Sequence, residues 1–215
     1  MSHSNTGSEK TVKRRYQGRG VRRREALIGA LEEMLLERTI SDITYQEIAD
    51  KAEIPLPSCY NLFANKLDLI QAVSESYGER YVEYVFAPLP KSDPPEAWTD
   101  LTDIMIDRST EFIHDHPATR AIWFGADVPP KITLASRIRE RKVASQYKEF
   151  VGRYFKLPQV DDLDDIFYLA LEIADRVIQL SEILHGELTP FYLREAKRLQ
   201  RAYLGLYLFP FVESA

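Results

Sequence analysis

Three groups of residues carry side chains whose type and spacing could do chemistry. His114-Asp115-His116 puts two imidazoles and a carboxylate in three consecutive positions, the beginning of a metal-ligand set. Cys59 is the sole cysteine and so the one candidate for thiolate or redox chemistry. Lys10, Lys13, Arg14, Arg15, Arg19, Arg22, Arg23 and Arg24 face a single acid, Glu9, in residues 1–24, a local charge of +7 suited to a polyanion. The first group lacks a further Cys or His nearby and runs into Pro117, so it reads as the polar end of a helix and no metal is expected. Cys59 falls on the inward side of a short helix, where a thiol behaves as a small hydrophobe. There is no nucleotide-binding loop and no nucleophile–base arrangement, so neither a cofactor nor an enzymatic activity is expected. The basic segment remains. The whole chain carries −5, so the residues after it carry −12, and only one end of the molecule is suited to phosphate.

The elements that must position this segment follow from apolar spacing. The chain has 215 residues and 24.9 kDa, is 45% hydrophobic and 28% charged, and contains only 9 glycines, which favours an all-helical fold with a real core. No apolar run approaches the roughly 18 residues that span a bilayer. The polar start MSHSNTGSEKTVKRRYQGRG has no apolar segment of a secretory signal, and one cysteine excludes an internal disulfide framework; a cytoplasmic location is expected. Residues 1–20 lack periodicity and contain Gly7, Gly18 and Gly20, so a disordered basic arm is expected there. Helical spacing then predicts segments at about 22–38, 45–51, 56–63, 66–86, 96–114, 118–125, 130–155, 161–185 and 190–209. Thr44 with Glu47 makes a capping box, and Pro55 and Pro57 are tolerable at the first turn of the third segment. Two short helices joined by a tight turn describe a helix-turn-helix, whose second helix fits a DNA major groove.

Thr44-Tyr45-Gln46-Glu47-Ile48-Ala49 and Tyr60-Asn61-Leu62-Phe63-Ala64-Asn65-Lys66 resemble the N-terminal signature of the TetR family of bacterial transcription regulators. The match rests on Thr44, Ile48, Ala49, Ala52, Tyr60, Phe63, Lys66 and Leu69. Glu53 stands at the usual turn glycine, Pro55 at the usual capping serine, Pro57-Ser58-Cys59 at a Gly-Thr-Leu triplet and Leu62 at the usual histidine. The resemblance implies a DNA-binding domain at 21–66 behind the 1–20 arm, and a ligand-binding and dimerisation domain at 67–215. By position it implies phosphate contacts from Ser58, Tyr60 and Lys66, base contacts from Asn61 and Leu56, and a groove entrance flanked by Thr44, Tyr45 and Gln46, with Arg22 and Arg23 of the basic segment on the backbone. It also implies an effector pocket, for which Tyr77, Tyr81, Trp98, Met105, Arg108, Phe112, Trp123 and Tyr147 are the candidates. The wide apolar faces of the last two helices, with Ile166, Leu169, Ile173, Val177, Leu180, Leu199, Tyr203 and Leu206, are expected to pair in a homodimer as a four-helix bundle. The partners expected are double-stranded DNA, a second copy of the chain and a small-molecule effector, with no membrane. A repressor released from a palindromic operator is the expected function. An activator or a structural DNA-binding protein without a ligand is the alternative, and a helical enzyme a remote one.

Overall fold

The computed structural model describes residues 6–125 and 127–208, with side chains from Gly20 onward. Among the described residues there are nine helices and no strand. They form two compact units, residues 1–74 and 75–215.

In the first unit α1 (Thr6–Met34) is followed by α2 (Tyr45–Lys51), α3 (Leu56–Cys59) and the first turns of α4 (Lys66–Val85). The helix α1 starts at Thr6 and takes in residues 6–20, where a disordered arm was expected. No proline interrupts that stretch, and each glycine in it weakens a helix by only about 1 kcal/mol. Leu27, Ala30, Leu31, Ile48, Ala49, Cys59, Phe63, Leu69 and Ile70 close the core of this unit. Thr44 caps α2 as expected: its hydroxyl accepts from the Glu47 amide at 3.2 Å while the Thr44 amide donates to Glu47 Oε2 at 2.7 Å. Two further bonds end α2, from the Ile54 amide to Ala49 O at 2.9 Å and from the Glu53 amide to Asp50 O at 3.1 Å. This pattern is a Schellman turn, and it places Glu53 at a φ of 55°, in the left-handed region that glycine fills without strain. Glu53→Gly is therefore expected to stabilise this unit by about 0.5–1 kcal/mol. Urea unfolding checks it, and a variant no more stable than the parent would refute the strain.

The second unit holds the rest of α4, then α5 (Trp98–Asp115), α6 (Arg120–Phe124), α7 (Pro130–Gly152), α8 (Leu163–His185) and α9 (Pro190–Leu208). The helices α7 and α9 both pack on α8, and α9 also packs on α5. Tyr147, Phe150 and Phe167 are fully buried at the centre of this core. Where an ordinary short helix was expected at 118–125, the chain makes one π-helical turn, α6. Gly125 follows it so closely that a Cβ there would lie 2.4 Å from the Ala121 carbonyl oxygen. Gly186, at a φ of 71°, ends α8 as the sequence predicts.

Candidate nucleic-acid interface and ligand cavity

The first unit presents its short helix α3 through an exposed rim. Pro57, Tyr60 and Asn61 are exposed and Leu56 and Ser58 half-buried; Arg22, Arg23 and Gln46 are also exposed. Tyr60, at 51% exposure, carries the most accessible aromatic ring among the described residues of the unit. Gln46 donates to Asp50 Oδ1 at 2.7 Å, and Asn61 donates weakly to Pro57 O at 3.4 Å, so both amides can be redirected at low cost.

Three residues expected at DNA are engaged inside the unit instead. The Lys66 ammonium donates to the carbonyls of Ile40 at 2.7 Å and Ile43 at 2.6 Å, tying the start of α4 to the connector before α2. The Tyr45 hydroxyl reaches the carbonyls of Cys59 at 3.1 Å and Phe63 at 2.9 Å, and its ring meets that of Tyr60 edge-on at 5.3 Å. Burial, reinforced by Cys59, Tyr60 and Asp68, pushes the Tyr45 phenol up to about 12. Thr44 has its hydroxyl in the capping box. Lys66 and Tyr45 fasten the short elements together, because the carbonyls at their ends have no helical partner and long polar side chains supply one, while Thr44 closes the start of α2. Arg24 likewise lies over the Phe63 ring at 4.3 Å. Cys59 is buried, its thiol pushed up by burial and directed at the Ile54 and Pro55 carbonyls, a poor position for a redox switch.

In the second unit the aromatic candidates divide. Tyr77, Tyr81, Phe112 and Trp123 form one cluster: Tyr81 lies 5.5 Å from Phe112 and 5.7 Å from Trp123, and Trp123 stacks on Phe112 at 6.3 Å. The Tyr81 hydroxyl shares a hydrogen bond of 2.8 Å with Ser109. The expectation for Trp98, Met105 and Tyr147 has to be corrected. They belong to the packed core, because they sit on the stripes that α5 and α7 turn toward α8 and α9, and Tyr147 donates to Gln200 Oε1 at 3.2 Å. Arg108 also leaves the list. It caps the end of α4, donating to the Val85 and Ala87 carbonyls at 3.0 and 2.7 Å. The histidine at the end of α5, His116, stacks on Phe112 at 4.2 Å and bonds the Phe112 carbonyl through Nδ1.

Beside the aromatic cluster lies a cavity of about 320 Å³ whose walls include Trp123, Phe124, Glu140, Glu172 and Asp175, with a side recess of about 80 Å³ that adds Tyr81 and Arg139. Its acids are the residues that sequence reasoning missed. Burial, then a contact with Glu172 and the charges of Asp175 and Glu172, pushes the Glu140 carboxyl up to about 8 against the pull of Arg137. Burial, with the Glu172 charge second, pushes Asp175 up to about 7. Glu172 is also penalised by burial, but hydrogen bonds from Arg137 and Tyr168 hold it below the usual carboxylate range. Glu140 Oε2 and Glu172 Oε1 find no N–H or O–H donor, and Arg137 stands 3.8 Å from Glu140, too far for a hydrogen bond. The contact between the two carboxyls is a hydrogen bond only when one of them holds a proton, which fits the raised Glu140. The sequence did carry a signal. Asp175 falls on the stripe of Leu171 and Ile178, and Glu140 on that of Val143, Ala144 and Tyr147, so each acid interrupts an apolar face.

The expected dimer residues are placed on α8 and α9. Leu169, Leu199 and Leu206 are exposed, Leu206 to 74%, and Ile173, Val177, Leu180 and Tyr203 are half-buried. Ile166 is the exception: it is buried in the core of its own unit and cannot contribute to an open face. Ile183, Leu184 and Phe191, all more than half exposed, enlarge the apolar surface of the same two helices.

The chain thus combines a three-helix head that exposes one face of the short helix α3 with a helical unit that holds a cavity open to solvent. The family model described as Tetracyclin repressor-like, C-terminal domain, matches residues 96–208. The chain belongs to the TetR family of transcriptional regulators. It is similar to a solved TetR-family regulator from Streptomyces coelicolor, with 25% identity over 86% of this chain and 99% of that one and a TM-score of 0.69. A TetR regulator from Rhodococcus sp. RHA1 shares the fold at 19% identity, 85% and 96% coverage and a TM-score of 0.59. So does the multidrug binding protein EbrR in complex with ethidium, at 22% identity, 82% and 98% coverage and a TM-score of 0.51. No curated protein matches the sequence. No helix among the described residues is long and apolar enough to cross a membrane.

Proposed function

We propose that this chain is a homodimeric repressor, released from a palindromic operator by a small molecule that occupies the cavity of the second unit. The observation that carries this reading is the continuity of α4. Its first residue, Lys66, is bonded into the DNA-reading head, and the same helix supplies Tyr77 and Tyr81 to the aromatic cluster beside the cavity. Of the described residues expected at DNA, Tyr60, Asn61, Gln46, Arg22 and Arg23 are exposed, and Asn61 and Gln46 have the amide geometry that reads adenine. The open apolar faces of α8 and α9 supply the two-fold contact, which must set the heads about 34–36 Å apart to match half-sites one helical turn apart. That this fold can hold a small molecule is supported by EbrR with ethidium. An effector acts by favouring the state whose heads are wrongly spaced, to the extent that it binds that state more tightly.

Genome-wide mapping of bound sites, followed by titration of the recovered sequence with purified protein, tests this function. Salt-sensitive, sequence-selective binding by a dimer is expected, and Leu206→Glu is expected to give a monomer by sedimentation with DNA affinity lowered at least about tenfold. Absence of selective binding would remove the regulator reading.

A further inference from the structure

We propose that Arg139 is a movable gate between the cavity of the second unit and an outer groove lined by α4 and α7, and that this groove is the way in for a small molecule. This rests on the reading of the cavity as the effector site and adds the route by which it fills.

Three hollows follow one another in this unit. The outermost is a groove of about 500 Å³, with Glu75, Glu79 and Val82 of α4 on one side and Ala135, Ile138 and Lys142 of α7 on the other. It shares Gly78, Arg139 and Val143 with the recess of about 80 Å³. The recess in turn shares Trp123 and Glu140 with the cavity of about 320 Å³. Gly78, Arg139 and Val143 are thus the wall between groove and recess. Gly78 has no side chain to move, and Val143 is a buried, β-branched residue packed in the core. Arg139, long and half-buried, is the part of that wall that can swing.

The position of Arg139 depends on a glycine. A Cβ at Gly78 would lie 2.6 Å from Arg139 Cδ and 2.9 Å from its Nε, so the side chain passes α4 through a notch that only glycine leaves open. Its guanidinium is directed inward, where it donates to Ser136 Oγ at 3.2 Å and lies over the Trp123 ring at 5.4 Å. That placement costs hydration: burial pushes the guanidinium down, against the charges of Glu140, Glu75 and Tyr81. Turned outward, the same group regains water and meets Glu75 and Glu79, both exposed along the groove. A hydroxyl and a ring face on one side, and water with two carboxylates on the other, bring the two positions close in free energy. A side chain with two such positions can admit a molecule and close behind it.

Ser109 lines the recess but neither the groove nor the larger cavity, so a thiol placed there by Ser109→Cys reports entry. Methyl methanethiosulfonate, small and neutral, is the probe: the thiolate attacks its sulfenyl sulfur, releases methanesulfinate and becomes a methyl disulfide. The rate at residue 109 is read by mass spectrometry on the full-length protein. Cys59, buried in the other unit, is the internal control for general opening. Arg139→Ala and Gly78→Ala are each expected to raise the rate at least about tenfold, since it follows the population of the open state. Gly78→Ala also favours the helix, so a fast rate in that variant does not reflect unfolding. Glu75→Gln is expected to slow the reaction, and Gln179→Ala, which widens the larger cavity away from the groove, to leave it unchanged. An unchanged rate in Arg139→Ala, Gly78→Ala or Glu75→Gln, a parallel rise at Cys59, or an equal rise in Gln179→Ala would overturn the proposal. The labelling needs neither operator nor effector, so its failure removes the gate alone, whereas absence of selective DNA binding removes the regulator reading itself.

Discussion

Asp175→Asn raises the unfolding free energy at about pH 8 by roughly 2–4 kcal/mol and has almost no effect near pH 4. The sign follows from the raised carboxyl, about 7 in the folded chain against an ordinary value of 3.8. Between those values the folded protein keeps a proton that the unfolded chain has released. The stability lost to Asp175 therefore grows as pH rises from about 4 through about 7 and is constant above, where the desolvated group is charged and the charge of Arg137 offsets the cost only in part. Asparagine keeps the volume and never ionises, so it removes the penalty while leaving the cavity its shape. Urea titrations of parent and variant at the two pH values measure the difference. A variant no more stable at the higher pH would mean that Asp175 is already compensated.

Lys66→Met is expected to cost the DNA-reading head roughly 2–4 kcal/mol, since two short charge-assisted hydrogen bonds to Ile40 O and Ile43 O disappear. The same substitution separates two roles. A phosphate-contacting lysine released from DNA lowers the slope of log affinity against log salt by about 1. A lysine that braces the head lowers its melting temperature and leaves that slope unchanged. Circular-dichroism melts with operator titrations at several salt concentrations distinguish them, and a normal melt with a reduced slope would reassign Lys66 to the phosphate backbone.

Lys66 also illustrates what was legible in the sequence. Helix positions were readable because apolar spacing and the prolines at 55, 57, 117, 130 and 190 act locally, and the structure departs from them mostly at the ends. The strain at Glu53 was readable too, since a Schellman turn needs one left-handed residue at that point whatever the side chain. Roles carried by long side chains were not. Lys66 reaches a carbonyl 26 residues before it, and Arg108 one 23 residues before it, and only the fold brings such partners together. Aromatic type alone could not divide Tyr77, Tyr81, Phe112 and Trp123 from Trp98 and Tyr147, because both sets occupy inward helical positions. The polar wall was missed for a different reason. Asp175 and Glu140 were not among the site candidates, although both sit on apolar stripes whose register points inward.

That wall also alters how the molecule migrates in an electric field. The formal charge of −5 counts every carboxyl as ionised. In the folded chain burial pushes the Glu140 and Asp175 carboxyls up, to about 8 and about 7, so near pH 7 they hold protons that the formal count leaves out and the folded chain is less negative than −5. The native protein should thus focus above its composition-based isoelectric point of about 5.5, and its electrophoretic mobility reports, without any ligand, whether the protons in its cavity are in place.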